Sequence, residues 1–172
     1  MYINKITYLS KMKPIIIGIS GVAHSGKDTS ADYLISQLRN RYSVIKISLG
    51  DRTKIISREL IRLFYGIDIP LTHFYDIIEK ERIRDDLPRF AGQPFKIRTI
   101  LQTIGTDIFR NMMWTDIWCD YIKRKYIEHS VYQIIIISDL RMPNESEYFR
   151  RMVDGGYIHQ FLSFQIIRSV NA

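Results

Sequence analysis

The stretch 18-GISGVAHSGKDTSADYL-34 decides how the rest of the chain is read. Gly21, Gly26 and Lys27 fit the pattern G-x-x-x-x-G-K-[ST], in which backbone N–H groups of a glycine-rich turn wrap phosphates, the lysine reaches the outer ones and a hydroxyl holds magnesium. Asp28 stands where that hydroxyl belongs, and a hydroxyl follows one residue later at Thr29. The run 15-IIIGIS-20 ahead of the glycines is apolar and β-branched, while Ala31, Leu34, Ile35 and Leu38 behind them recur at helical spacing. A buried strand, a tight turn and a helix opening at Gly26-Lys27 aim backbone N–H groups and the positive end of a helix dipole at an anion. The segment predicts a phosphate-binding loop made by Gly21, His24, Ser25, Gly26, Lys27, Asp28 and Thr29, with Lys27 as the phosphate clamp. The alternative is a plain strand–turn–helix whose glycines are incidental.

Two further runs, 44-VIKISLG-50 and 134-IIIISD-139, read as strands. The first and last of the three runs are almost wholly apolar, as strands covered on both faces of a parallel sheet are. Between them Ile97, Ile100, Leu101 and Ile104 form one helical stripe, and Trp118, Tyr121, Ile122 and Tyr126 another. Pro94 and Pro143 are placed to open helices, Gly155-Gly156 to close one, and the aromatic stripes, Trp114 and Trp118 included, to fill the core. Strands alternating with helices predict an α/β layered fold with a parallel sheet. The third strand runs into 138-SDLRMPNESEYF-149. A carboxylate at the carboxyl edge of a parallel strand faces the crevice that the loop faces, which suits Asp139 to magnesium or its waters and Arg141 to a phosphate. Asp139 as a turn cap is the plainer reading.

Composition limits the classes. The chain of 172 residues is 46% hydrophobic, which supports one compact domain rather than disorder. One cysteine, Cys119, excludes an internal disulfide and a cysteine metal cluster, and favours a reducing compartment such as the cytoplasm. No run approaches the roughly 18 apolar residues of a membrane span, and 1-MYINKITYLSKMKP-14 has neither the apolar core nor the cleavage site of a signal peptide. A soluble protein is expected. The net charge of +7 suits a polyanionic partner, nucleotide phosphates or nucleic acid, without separating them. The cluster Lys123-Arg124-Lys125 lies in an amphipathic pattern and reads as a solvated face.

The combination of G-x-x-x-S-G-K-D-T, 99-TILQTIGTDIFR-110 and 139-DLRMPNE-145 resembles the deoxynucleoside monophosphate kinases of bacteriophages and large DNA viruses, within the P-loop nucleotide kinase-like superfamily. The resemblance runs from about residue 14 to Gly156. It implies a three-layer, parallel-sheet P-loop NTPase fold over 14–172, behind an N-terminal extension at 1–13. It also implies transfer of a phosphoryl group from ATP, with magnesium (Mg2+), to a deoxynucleoside monophosphate. Gly-Lys-Asp-Thr is similar to the family's own form of the loop, so Asp28 reads as an inherited variant, with Asp28, Thr29 and Asp139 as candidate magnesium holders. Lys27, Asp139 and Arg141 are the catalytic candidates. The resemblance assigns the acceptor nucleotide to Asp51, Lys54, Arg98, Gln102 and Arg110, the last three on one helical region where a glutamine can read a base edge and an arginine fork a phosphate. Nucleic acid is not expected as a partner, and a homodimer is compatible with the pattern.

Other readings keep the loop and change the substrate: a phosphomevalonate or dephospho-coenzyme A kinase, a nucleic-acid-stimulated ATPase, or an inactive nucleotide-binding remnant. The last is raised by the C-terminus. After 154-DGGY-157 the resemblance fades, so the lid and last strand are expected to be missing or degenerate through truncation, unless the arginines of 80-KERIRDDLPR-89 (Arg82, Arg84 or Arg89) act as the lid.

Overall fold

The computed structural model describes residues 13–23, 25–90 and 92–167. His24 and all of the N-terminal extension except Lys13 therefore lie outside the described residues. Along the chain run β1 (Ile15–Gly21), α1 (Lys27–Leu38), β2 (Val44–Ile47), α2 (Asp51–Tyr65), a 3-10 turn (Leu71–Phe74) and α3 (Ile77–Glu81). There follow α4 (Ile97–Gln102), continued in π register over Thr103–Met113, and α5 (Ile117–Ile122), continued in π register over Lys123–Ile127. The chain then forms β3 (Ile134–Leu140), α6 (Pro143–Asp154) and β4 (Gln160–Ile166).

These elements group into two compact units. The first comprises the chain up to Leu49 and from Trp118 onward; the second spans Gly50–Ile117. The first unit is built on a four-stranded sheet of order β2-β3-β1-β4, every pairing parallel. All residues of β3 are buried, as a central parallel strand made of consecutive isoleucines must be. Ile15, Ile16 and Ile17 pair with Ile134, Ile135 and Ile136, so β-branched side chains stack across the middle of the sheet. Ile17, Ile19 and Ala31 form a core with Ile134 and Ile136 under α1. Each such isoleucine contributes roughly 1.5–3 kcal/mol through burial. Gly18 interrupts the apolar run of β1 because Leu140 and Phe161 fill the space a side chain there would need.

The second unit has its own core, in which Ile61, Ile69, Phe74 and Phe95 pack with Ile97, Ile100 and Ile104. Several sequence expectations change in detail. The second strand stops at Ile47 instead of Gly50, because the next two residues turn their polar groups away from the ladder toward Asp139. The fourth helix starts at Ile97, after an extended Lys96, and not at Pro94. Its stripe breaks out of α-helical period after Gln102. Trp118 is buried, but Trp114 is 48% exposed. The helix ends at Met113 and Trp114 is extended (φ −160°), which takes its ring off the stripe. Pro143 does open α6, and Gly155 closes it. No helix among the described residues is long and apolar enough to cross a membrane.

Candidate active site

The loop between β1 and α1 has the conformation its glycines allow. Gly26 is left-handed, with φ +93°, and caps α1 directly before Lys27. Nothing lies within 4 Å of where its side chain would be. Gly21 has φ +147°, and a Cβ there would sit 2.7 Å from both the Ile166 carbonyl oxygen and the Ser25 hydroxyl. A side chain is therefore excluded twice over at Gly21, by backbone conformation and by space. The Lys27 ammonium folds back over the loop and donates to the carbonyls of Gly21 at 2.9 Å and Val22 at 2.6 Å. Ser25 is buried and its hydroxyl has no hydrogen-bond partner. A buried, unpaired hydroxyl costs free energy unless something else satisfies it. Asp28 and Thr29 are both exposed in the first turn of α1. Thr29 borders an apolar groove that α1 forms with β4.

Sheet register brings Asp139 to this loop. Ser20 of β1 pairs with Leu140 of β3, after a register shift that follows Gly18. Asp139, the next-to-last residue of β3, therefore lies at the end of the sheet where β1 opens into the loop. The carboxylate is largely buried; its Oδ2 accepts from the Ser48 hydroxyl at 2.7 Å, and its Oδ1 from the Leu49 N–H at 2.7 Å. Ser48 is placed for this because Ile47 of β2 pairs with Ile137 of β3. Ser48 has no local sequence signal beyond being a hydroxyl directly after a strand, because its partner is 91 residues away. Glu145 anchors the turn after β3. It is 1% exposed, and its Oε2 accepts the backbone N–H of Arg141 at 2.7 Å and of Met142 at 3.1 Å. A buried carboxylate thus fixes the backbone of Arg141, while the Arg141 side chain is exposed.

The acceptor candidates all belong to the second unit. Asp51 opens α2 and, one turn on, Lys54 donates to its Oδ1 at 3.0 Å. The Tyr75 hydroxyl donates to the same oxygen at 2.8 Å, and the Lys54 ammonium lies 3.7 Å from the centroid of the Tyr75 ring. Tyr75 carries no local sequence signal, since it reaches Asp51 across the fold from the far end of the 3-10 turn. Arg98 and Gln102 stand four apart on α4. The Arg98 guanidinium donates to Glu81 at 2.7 Å, and this hydrogen bond holds the Glu81 carboxyl below the usual carboxylate range. Gln102 is exposed. Arg110 follows in π register, where bonds run from N–H to the carbonyl five residues back, as from Trp114 to Phe109. The spacing between Gln102 and Arg110 is therefore set by the π register and not by the α-helical period. Of the lid candidates, Arg84 is gripped by both oxygens of Asp86, Arg82 pairs with Glu79 and Arg89 donates to the Gly92 carbonyl.

Gly105 has a packing role that can be measured. A Cβ on it would lie 2.9 Å from Thr53 Cγ2 and 3.3 Å from Thr53 Oγ1, on the buried face of α2. Gly105→Ala is expected to destabilise the protein by about 1–3 kcal/mol through this overlap. Adding Thr53→Ala should return part of the loss in thermal denaturation. A Gly105→Ala protein as stable as its parent would show that the two helices tolerate the added methyl.

A family model of deoxynucleotide monophosphate kinases matches residues 40–160. A protein of Acanthamoeba polyphaga mimivirus, provisionally named as a deoxynucleotide monophosphate kinase, is 28% identical over 154 residues, which is 84% of this chain and 72% of the relative.

Proposed function

We infer the reaction from one premise: the chain belongs to the deoxynucleotide monophosphate kinase family, and is by that membership a phosphotransferase. The reaction that fits is transfer of the terminal phosphoryl group of ATP to a deoxynucleoside monophosphate. The bond to the β–γ bridging oxygen breaks, a bond to an acceptor phosphate oxygen forms, and ADP and the deoxynucleoside diphosphate leave. The observation that carries this reading is the juxtaposition, in one unit, of a left-handed glycine, Lys27 and the buried Asp139 at the same sheet edge.

In this reading the N–H groups at the start of α1 and the loop receive the donor phosphates, with Ser25 turning its unpaired hydroxyl to them. Lys27 exchanges its two carbonyl partners for phosphate oxygens, which keeps a positive charge beside the transferring group. No protein base is needed, because the acceptor phosphate is already anionic at neutral pH; positioning and charge neutralisation supply the catalysis. Arg141, its backbone pinned by Glu145, adds a second cation. Gln102 reads the acceptor base edge, and Arg98, Arg110, Lys54 and Asp51 hold its phosphate and sugar.

Magnesium fits the residues present. Mg2+ prefers hard oxygen ligands, and it is bound by one or two carboxylates together with substrate phosphates and water. Asp139, the Asp28 carboxylate and the hydroxyls of Thr29 and Ser25 are such donors. Among the described residues no group of three or more His, Cys, Asp or Glu forms a self-sufficient metal site, so the phosphates would complete the shell. Bound there, the ion would neutralise charge on the phosphate oxygens.

A coupled ADP-release assay with ATP and each deoxynucleoside monophosphate tests the reading. Phosphomevalonate and dephospho-coenzyme A serve as controls. Turnover with a deoxynucleoside monophosphate supports it, and turnover with a control alone overturns it. Within the same assay, Gln102→Ala and Arg110→Ala should each raise KM for the monophosphate about 10- to 100-fold, as loss of a hydrogen bond to a charged or buried polar partner does. KM for ATP should stay within about twofold of the parent value in both variants, since neither lies in the donor unit. ATP affinity lost with acceptor affinity kept would remove both residues from the acceptor side.

A further inference from the structure

We propose that Tyr75 is a positioning residue for the acceptor sugar: it holds the Asp51 carboxylate so that Oδ2 accepts the 3′-hydroxyl of a deoxynucleoside monophosphate, while Lys54 beside it meets the phosphate. This rests on the reaction proposed above, which gives Asp51 and Lys54 to the acceptor without dividing the work between them and gives Tyr75 no part. All three residues belong to the second unit. Asp51 and Lys54 stand one turn apart at the start of α2, and Tyr75 directly follows the 3-10 turn.

Tyr75 is mounted on fixed backbone. Phe74 before it is fully buried in the core of this unit, the Tyr75 N–H donates to the Thr72 carbonyl at 3.0 Å, and Asp76 after it caps α3 by accepting the Glu79 N–H at 2.9 Å. From this base the side chain makes two contacts at once. Its hydroxyl donates to Asp51 Oδ1 at 2.8 Å, and the face of its ring carries the Lys54 ammonium 3.7 Å from the centroid. Lys54 donates to that same Oδ1 at 3.0 Å. Both hydrogen bonds fall on one carboxylate oxygen, and the Asp51 side chain is 41% exposed, so Oδ2 is open to a further donor. Two donors from different elements thus set the orientation of the carboxylate.

The chemistry divides the acceptor between the two ends of this cluster. A carboxylate repels a phosphate and pairs with a hydroxyl, whereas an ammonium attracts the phosphate. A deoxyribose phosphorylated at its 5′ position has a single free hydroxyl, at the 3′ position, and the ring carbons that carry the hydroxyl and the phosphate-bearing methylene are adjacent. One nucleotide can therefore offer its hydroxyl to Asp51 Oδ2 and its phosphate to Lys54. The ring of Tyr75 stabilises the ammonium through its quadrupole and holds it to one side of the carboxylate. The Tyr75 hydroxyl keeps Oδ1 occupied and Oδ2 turned outward. Loss of the hydroxyl should reach the sugar contact alone, and loss of the ring the phosphate contact as well.

Isothermal titration calorimetry on the full chain, with each deoxynucleoside monophosphate and its 2′,3′-dideoxy counterpart, separates these contacts, because the paired ligands differ in the 3′-hydroxyl alone. The parent should bind the deoxy form about 10- to 100-fold more tightly, as a hydrogen bond to a charged group gives. Tyr75→Phe keeps the ring and should shrink that preference about 5- to 10-fold by weakening the deoxy form, with the dideoxy form within about twofold of the parent. Tyr75→Leu removes the ring too and should also weaken the dideoxy form, about 3- to 10-fold. Tyr75 is 48% exposed, and thermal midpoints check that both variants fold. Asp51→Asn combined with Tyr75→Phe should lose no more of the preference than Asp51→Asn alone, since the tyrosine acts only through the carboxylate; a merely structural Tyr75 would not give that result. The inference is overturned, and the proposed reaction left standing, by a parent that binds both forms equally or by a Tyr75→Phe protein that weakens both forms alike or neither. A parent that binds no deoxynucleoside monophosphate removes the reaction and the inference together.

Discussion

Lys27→Ala should lower turnover about 100- to 1,000-fold while the thermal midpoint of the protein moves little. The size follows from losing one preorganised charge at a phosphoryl group whose negative charge spreads in the transition state, in a site where such interactions are worth roughly 2.7–4 kcal/mol. The small effect on stability follows from the geometry. Lys27 donates to the carbonyls of Gly21 and Val22, in a partly exposed loop where water can reach both carbonyls once the ammonium is gone. Lys27→Arg is an informative companion, because a planar fork is not a substitute for a compact ammonium; it should keep the charge and still lose much of the rate. A folded Lys27→Ala protein with the parental rate would leave the glycine loop as a structural turn.

The strand–turn–helix around Gly26 and Lys27 was legible in the sequence because each of its signals is local. Strand, glycines, lysine and helix follow one another within a single segment, and the φ of +93° at Gly26 is what a loop-to-helix glycine is selected for. The all-buried β3 and the Pro143 helix start were legible for the same reason, since both depend on residue types within a few positions. What escaped depends on distance along the chain. Ser48 reaches Asp139 only after β2 and β3 pair, and Tyr75 reaches Asp51 only after the second unit folds. The change of register after Gln102 escaped for another reason: over a short span the hydrophobic stripe gives much the same apolar positions for α and π registers, so the period change leaves no mark that a stripe can show. The break at Met113 that leaves Trp114 extended is hidden from the stripe in the same way.

Asp28 in the place of a hydroxyl becomes less puzzling in this setting. A carboxylate in the first turn of α1 is favoured by the helix dipole, so its charge need not be justified by metal alone. Thr29, the displaced hydroxyl, borders the apolar groove next to β4, whereas Ser25 has a buried hydroxyl with no partner. In the proposed reaction the hydroxyl that the pattern G-K-[ST] places after the lysine would come instead from a residue ahead of it.

Asp139→Asn is expected to have the second large effect, and its interpretation turns on separating two roles of one carboxylate. Both oxygens accept hydrogen bonds, from Ser48 and from the Leu49 N–H. An asparagine keeps one acceptor oxygen and presents an NH2 group to the other donor, so stability should fall by about 1–3 kcal/mol through an unsatisfied polar group. If that were the whole role, activity would fall only as far as folding does. If the carboxylate also faces Mg2+, its negative charge is lost from the metal's surroundings, and half-maximal activity should need at least about 10-fold more magnesium, with turnover at saturating magnesium still reduced about 100-fold. Ser48→Ala supplies the control. It removes one hydrogen bond to the carboxylate and leaves the charge, so it should cost about 1 kcal/mol of stability and shift the magnesium requirement by no more than about twofold. Magnesium titrations of the two variants, run below their thermal transitions, separate the cases. Equal magnesium requirements in Asp139→Asn and the parent would make Asp139 the anchor of the β2 end and nothing more, and would pass the metal to Asp28 and the loop hydroxyls.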